Sequence, residues 1–391
     1  IGALTTTSST EYSVVFTPTA NTNSGTGSIS VAGATFTDTA ANNNTASTAL
    51  SISYDTLAPT VTVTRAGSTA LRSGQTDTIT FTLSEASSTF AVGDITVSGG
   101  SIGTLTTTSS TIYSVVFTPT ANTESGTGSI SIAGSTFTDG VGNDNTTSNT
   151  LSINYDTVVP TVSITRSGSG TLKSGDSETI TFTLSESSTN FISTDITVTG
   201  GAISGFSGSG TSYSATFTPS ANTQSGTGSI SVAGARFTDT AGNNNTASST
   251  LSISYDTGAP TVSISAISTS LTSGSTTTVT FNVSESTTTF TESDVTARLG
   301  ALTNFSGSGT SYTATFTASR SSGGTAAITV TSGSFTDANS NASTSAFTFN
   351  ITVTNTTASP GGRNSYTGNG TNGTNGADIS LNDLQQQAQH R

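Results

Sequence analysis

Apolar residues alternate with threonine and serine through most of the chain. In TDTITFTLSE, residues 76–85, Ile79, Phe81 and Leu83 fall on one side, and Thr78, Thr80 and Thr82 on the other. A period of two predicts half-buried strands rather than helices. Within 57–157 the pattern predicts strands at 60–64, 76–85, 94–99, a short piece near Ile102 to Leu105, then 112–118, 126–139 and 150–156. In the 112–118 strand Tyr113, Val115 and Phe117 are expected to face inward, as are Tyr12, Tyr213 and Tyr312 in matching strings. Gly, Asn, Asp and Pro interrupt the alternation about every ten residues, the signature of a β-sandwich.

The same block recurs. Phe16, Phe117, Phe217 and Phe316 sit in YSVVFTPTAN, YSVVFTPTAN, YSATFTPSAN and YTATFTASRS, at spacings of 101, 100 and 99. That period is the size of one independent domain and too long for a solenoid coil. Complete repeats are expected at 57–157, 158–257 and 258–354. Residues 1–56 match only the C-terminal half of a repeat and read as a partial domain. Residues 355–391 begin with a Gly/Asn-rich stretch expected to be a flexible linker. ADISLNDLQQQAQHR then predicts one short helix.

Composition narrows the function. Charged residues make up only 8% of the 391, yet the net charge is −13. Nine Lys and Arg are scattered along the chain and form no patch for nucleic acid or an anionic membrane surface. No apolar run approaches the roughly 20 residues of a membrane helix. The sequence holds no Cys, so it has no disulfide or thiol chemistry, and no Trp to line a sugar cleft. Its single histidine, His390, stands next to the last residue, a poor place for a catalytic base. Acidic positions recur in every repeat, whereas an enzyme needs one site. The chain is read as a non-enzyme.

The acids are not spread evenly. If the strands run up and down, the end of the second strand, the start of the third and the loop after the sixth share one pole. The last strand of the preceding repeat ends beside it. This gathers Asp55, Glu85, Asp94, Asp139 and Asn143 at the first joint. The second joint gathers Asp156, Glu186, Asp195, Asp239 and Asn243, and the third Asp256, Glu285, Asp294 and Asp337. With Asp38 and Asp144, 14 of the 22 acidic residues fall at such a pole. Asp and Asn also make turns, which accounts for Asp139 and Asn143. Glu favours neither turns nor strands, so Glu85 needs another reason. Hard oxygen ligands without His or Cys point to Ca2+ as the bound ion.

YDTLAPTV, TFTLSE, GDITVSGG and FTDTAGN, with their variants, resemble the bacterial immunoglobulin-like repeats of large surface adhesins of the biofilm-associated type. The resemblance covers about 1–354. It implies an all-β fold of tandem immunoglobulin-like β-sandwich domains in a linear array, ending in the Gly/Asn-rich tail. It also implies calcium between domains and an extracellular stalk in cell adhesion or a biofilm matrix. The partners expected are other copies or domains of the same surface protein. A subunit of a surface layer, a filament or a virion fibre is the alternative. Three domains in series, each about 30 Å long, would extend on the order of 100 Å.

Overall fold

Threonine, valine and isoleucine carry two substituents on Cβ and favour extended backbone, and the alternation then sorts one face into a core. The computed structural model describes residues 1–321 and 323–356. The linker beyond 356 and the helix expected near the C-terminus lie outside these residues. The chain divides into two compact units, one of residues 1–259 and one beginning at Pro260.

In the second repeat two sheets face each other. One orders Thr106–Thr107, Ile112–Pro119, Asp77–Leu83 and Val61–Arg65, with Gly100–Ile102 also paired to Ile112–Pro119. The other orders Leu71–Arg72, Leu151–Asp156, Gly126–Ile132 and Ile95–Ser98. Register aligns Val63 with Phe81 and Phe81 with Tyr113, so inward side chains meet on one rung. Ile79, Phe81, Phe117, Ile130, Ile132 and Ile153 lose all exposure between the sheets. Each such side chain contributes about 1.5–3 kcal/mol of burial. Gly126 is required where it stands: a Cβ there would lie 2.3 Å from the Tyr155 ring.

The third repeat repeats this plan. Val162–Arg166, Glu178–Ser188 and Gly201–Pro219 form one sheet, and Ile196–Thr199, Gly226–Val232 and Leu251–Tyr255 the other. Phe182, Phe217, Ile180, Ile230 and Ile253 are fully buried between them. The second unit forms its own sandwich around Phe281, Phe316, Val279, Ile328 and Ile351.

Three departures from the sequence reading have physical causes. The expected strand 126–139 ends at Ile132, because Ser135 takes a left-handed turn at φ 59° and the chain loops back. The strand expected from Asp94 begins at Ile95, because Val92–Asp94 form a short 3-10 turn. Tyr12, read as inward, is 55% exposed, and Phe36 is 62% exposed. Their counterparts Tyr113 and Phe137 are 6% and 2% exposed, because the Phe90 ring packs on both and the Asp77–Leu83 strand lies beside Tyr113. Residues 1–56 form two small antiparallel pairs, Thr5–Thr6 with Tyr12–Ser13 and Gly25–Ile29 with Leu50–Tyr54, and an isolated bridge between Thr37 and Asn43.

Candidate metal centres between repeats

Two acidic clusters lie inside the first unit, and strand parity builds both. In the second repeat Asp77, Ile79, Phe81 and Leu83 point inward, and Glu85 is next in phase. In the third, Glu178, Ile180, Phe182 and Leu184 lead in the same way to Glu186. Each glutamate is thus turned toward the pole of its sandwich instead of toward open water. A tyrosine fixes the chain just beyond: Tyr113 donates to the Ser87 carbonyl at 3.1 Å, and Tyr213 to that of Ser188 at 2.8 Å.

The second carboxylate comes from a loop. Asp139 Oδ1 accepts the backbone N–H groups of Val141, Gly142 and Asn143 at 2.8–2.9 Å. Asp239 Oδ1 accepts those of Gly242 and Asn243 at 2.7 and 2.9 Å. These bonds close the turn and hold each aspartate in place, 4% and 6% exposed. The third carboxylate belongs to the preceding repeat. Asp156 ends the strand Leu151–Asp156, and Asp55 follows the strand Leu50–Tyr54.

Asp55, Glu85 and Asp139 bring one carboxylate oxygen each to within 4.8 Å of one another, and Asp156, Glu186 and Asp239 do the same. In the second unit Glu285 and Asp337 approach each other within the same distance. Asp256 closes the first unit's last strand; it is buried, and its Oδ1 accepts the Gly258 amide at 3.1 Å.

The electrostatics are unfavourable as they stand. Glu85 Oε1 and Glu186 Oε1 are buried with no hydrogen-bond partner among the described residues. Burial, then Asp55 and Asp139, raises Glu85 above the ordinary glutamate range. Burial, followed by the charges of Asp239, Asp156 and Glu124, pushes Glu186 up to about 7. Asp139 behaves differently. Burial would raise it, but hydrogen bonds from the Asn143 side chain and from the turn amides outweigh that and hold it low.

Not every expected ligand joins the clusters. Asp94, Asp195 and Asp294 turn back on their own 3-10 turns, accepting the amides of Ala91, Ile192 and Thr291 at 2.7–2.8 Å. Asn143 and Asn243 enter as donors. Asn143 Nδ2 donates to Asp139 Oδ2 at 2.7 Å and to the Asp55 carbonyl at 3.3 Å. Asn243 Nδ2 donates to Asp239 Oδ2 at 2.9 Å and to the Asp156 carbonyl at 3.2 Å. These bonds span the joint and leave the carboxylates as the anionic donor set.

Three residues at the second joint were not singled out from sequence. Glu124 adds negative charge from the loop TESG, where the neighbouring repeats carry Asn23 and Gln224. That single acidic difference was the available signal. Arg72 donates to the Gly242 carbonyl at 2.9 Å, and the Ser73 amide to Asn243 Oδ1 at 2.6 Å. They stand on and just after the two-residue strand Leu71–Arg72, which pairs in parallel with Leu151–Asp156 and is too short to announce itself by alternation.

Solved structures with a similar course include the Escherichia coli adhesin FdeC, at 14% identity over 76% of this chain and 96% of that one, with a TM-score of 0.31. They include the titin I-band fragment I67–I69, at 9% identity over 76% and 96%, TM-score 0.33. They also include Yersinia pseudotuberculosis InvD, at 16% over 75% and 97%, TM-score 0.27. At such values nothing about function follows. No curated protein matches the chain in sequence. The described residues hold no helix long and apolar enough to cross a membrane. The bacterial Ig-like domain matches three times in tandem, at residues 55–155, 156–255 and 256–367. Those matches cover most of the sequence, and the chain belongs to the bacterial Ig-like domain family.

Proposed function

We propose that the chain is a stalk segment of an extracellular bacterial surface protein, of the adhesin or biofilm-matrix kind, with calcium stiffening the joints between sandwiches. The observation that carries this reading is the buried, unpartnered Oε1 of Glu85 and of Glu186, each held against two aspartates, one of them from the preceding repeat. An orphaned buried carboxylate oxygen costs free energy unless a cation meets it. The donor set fits a hard divalent ion: carboxylates only, in a partly loop-built site, without His or Cys. Asp55, Glu85 and Asp139 would hold one ion, and Asp156, Glu186 and Asp239 another. Calcium, when bound, would cancel the mutual repulsion and tie consecutive repeats together. Asn143 and Asn243 hold the loop aspartate against the preceding repeat's backbone, so the frame of each site stands ready.

Magnitude assigns the ion a mechanical role. Extracellular calcium modules bind at roughly 10⁻⁴–10⁻³ M. At millimolar calcium, linkage then adds about 0.4–1.4 kcal/mol per site, small beside a core of fully buried Phe and Ile. Restraining the joint is the larger effect. Small-angle scattering of the full chain tests it: calcium should lengthen and narrow the particle relative to EDTA. Identical profiles in both buffers would contradict the proposal.

A further inference from the structure

Strand Val61–Arg65 lies at the edge of its sheet. Thr60 and Ala66 bond to the neighbouring strand region, through Ser84 N–H to the Thr60 carbonyl and Ala66 N–H to the Thr78 carbonyl. Antiparallel alternation then turns the Val63 backbone outward. In this repeat Asn149 closes the edge. Its Oδ1 accepts from Val63 N–H at 2.8 Å, and its Nδ2 donates to the Val63 carbonyl at 2.9 Å. One side-chain amide stands where a further strand's peptide group would stand, and Val63 is 2% exposed.

The third repeat has the same edge without the closure. Ser185 N–H bonds the Thr161 carbonyl and Ser167 N–H the Thr179 carbonyl, so Ile164 is the outward residue in the place of Val63. Asn149 stands six residues before Tyr155, which pairs with Gly126; the residue six before Tyr255, which pairs with Gly226, is Ser249. Its hydroxymethyl group is too short to repeat the bridge. A cavity of about 290 Å³ opens there, lined by Val162, Ser163, Ile164, Ser249, Thr250 and Leu251. Ile164 is only half-buried. In the second unit the matching position, six before Val353, holds Phe347, which packs on the core, and Ile264 is 6% exposed. Two repeats fill this position and one leaves it open.

We propose that this opening is a docking groove for an extended, asparagine-bearing segment of a partner polypeptide. Asn149 supplies the template: a planar carboxamide satisfies the outward N–H and C=O of the edge residue together. No charged side chain lines the groove, and Val162, Ile164 and Leu251 give it an apolar wall, so the fitting segment is neutral and partly apolar. Strand addition at a free edge combines this backbone pairing with a side-chain pocket.

The test uses the full chain, ¹⁵N-labelled at isoleucine, titrated with the capped peptide acetyl-Thr-Ser-Asn-Thr-Leu-amide, which copies residues 147–151. The Ile164 amide signal should shift saturably, with half-saturation on the order of 1–10 mM. Ser249→Asn installs the residue type that the second repeat already carries, and should abolish the shift with the fold intact. A peptide with alanine in place of asparagine should fail to bind. A valine-labelled Asn149→Ser chain should gain a second responding amide, at Val63. An unmoved Ile164 signal, an undiminished response in Ser249→Asn, or equal binding of the alanine peptide would overturn the proposal. A concentration-dependent Ile164 shift without peptide would also overturn it, assigning the groove to a second copy of this chain.

Discussion

Glu186→Gln keeps the shape of the side chain and removes its charge. In the metal-free protein Glu186 is pushed from an ordinary value of 4.5 to about 7 by burial and by the neighbouring Asp239 and Asp156. At about 1.4 kcal/mol per pH unit, ionising it at pH 8 costs at most roughly 3–4 kcal/mol. Solvent at the partly exposed site reduces this to roughly 1.5 kcal/mol. Because the folded value is raised, the favourable contribution is complete below 4.5 and is lost as pH rises through about 7. Wild-type protein in EDTA should therefore lose stability across that window, whereas Glu186→Gln should be flatter. At pH 8 in EDTA the variant should melt about 5–10 °C higher in the transition of the third repeat. Scanning calorimetry from pH 5 to 8.5 in EDTA, repeated with millimolar calcium, reads both effects. Calcium should stabilise the wild type more than the variant. A flat wild-type profile, or a variant no more stable than wild type at pH 8 in EDTA, would refute the reasoning.

Other perturbations follow from the same contacts. Asp156→Asn should weaken calcium binding at the second joint about tenfold by removing one anionic ligand, as read by calorimetric titration of the full chain. Asn245→Ala removes four hydrogen bonds, to the amides of Arg236 and Phe237 and the carbonyls of Ala233 and Thr246, from a side chain 3% exposed. It should cost about 2–4 kcal/mol in urea unfolding of the third repeat. Phe217→Ala, at a fully buried position, should cost about 3–5 kcal/mol. Arg72→Ala should leave stability within about 1 kcal/mol but speed amide exchange in the 239–243 loop, which the guanidinium ties to the preceding repeat.

Much of the architecture is legible because period two and period one hundred are both written in the chain. Phe81, Phe117 and Phe217 lie where alternation puts them, fully buried. Glu85 and Glu186 could be picked out as glutamates in a Thr/Val-rich background, and their inward phase follows from the residues before them. Asp94 and Asp195 could not be separated from the clusters by spacing alone. Their fate depends on a three-residue 3-10 turn that turns the carboxylate back onto its own amide. Arg72 and Ser73 were illegible for a related reason: only pairing with Leu151–Asp156 brings that short strand to the next repeat's loop. Tyr12 shows the limit of parity. It has the phase of Tyr113, but Tyr113 is buried by the Phe90 ring and by the Asp77–Leu83 strand paired beside it, and residues 1–56 supply a counterpart of neither.

Calorimetric titration of calcium into the full chain at pH 7, beside a chain carrying Asp156→Asn and Glu186→Gln, bears most directly on the carboxylate clusters. Wild type should bind saturably at roughly 10⁻⁴–10⁻³ M, releasing protons as Glu186 ionises. The double variant should lose one site's worth of heat. Absence of saturable heat in the wild type, or an identical isotherm in the variant, would contradict calcium at the joints.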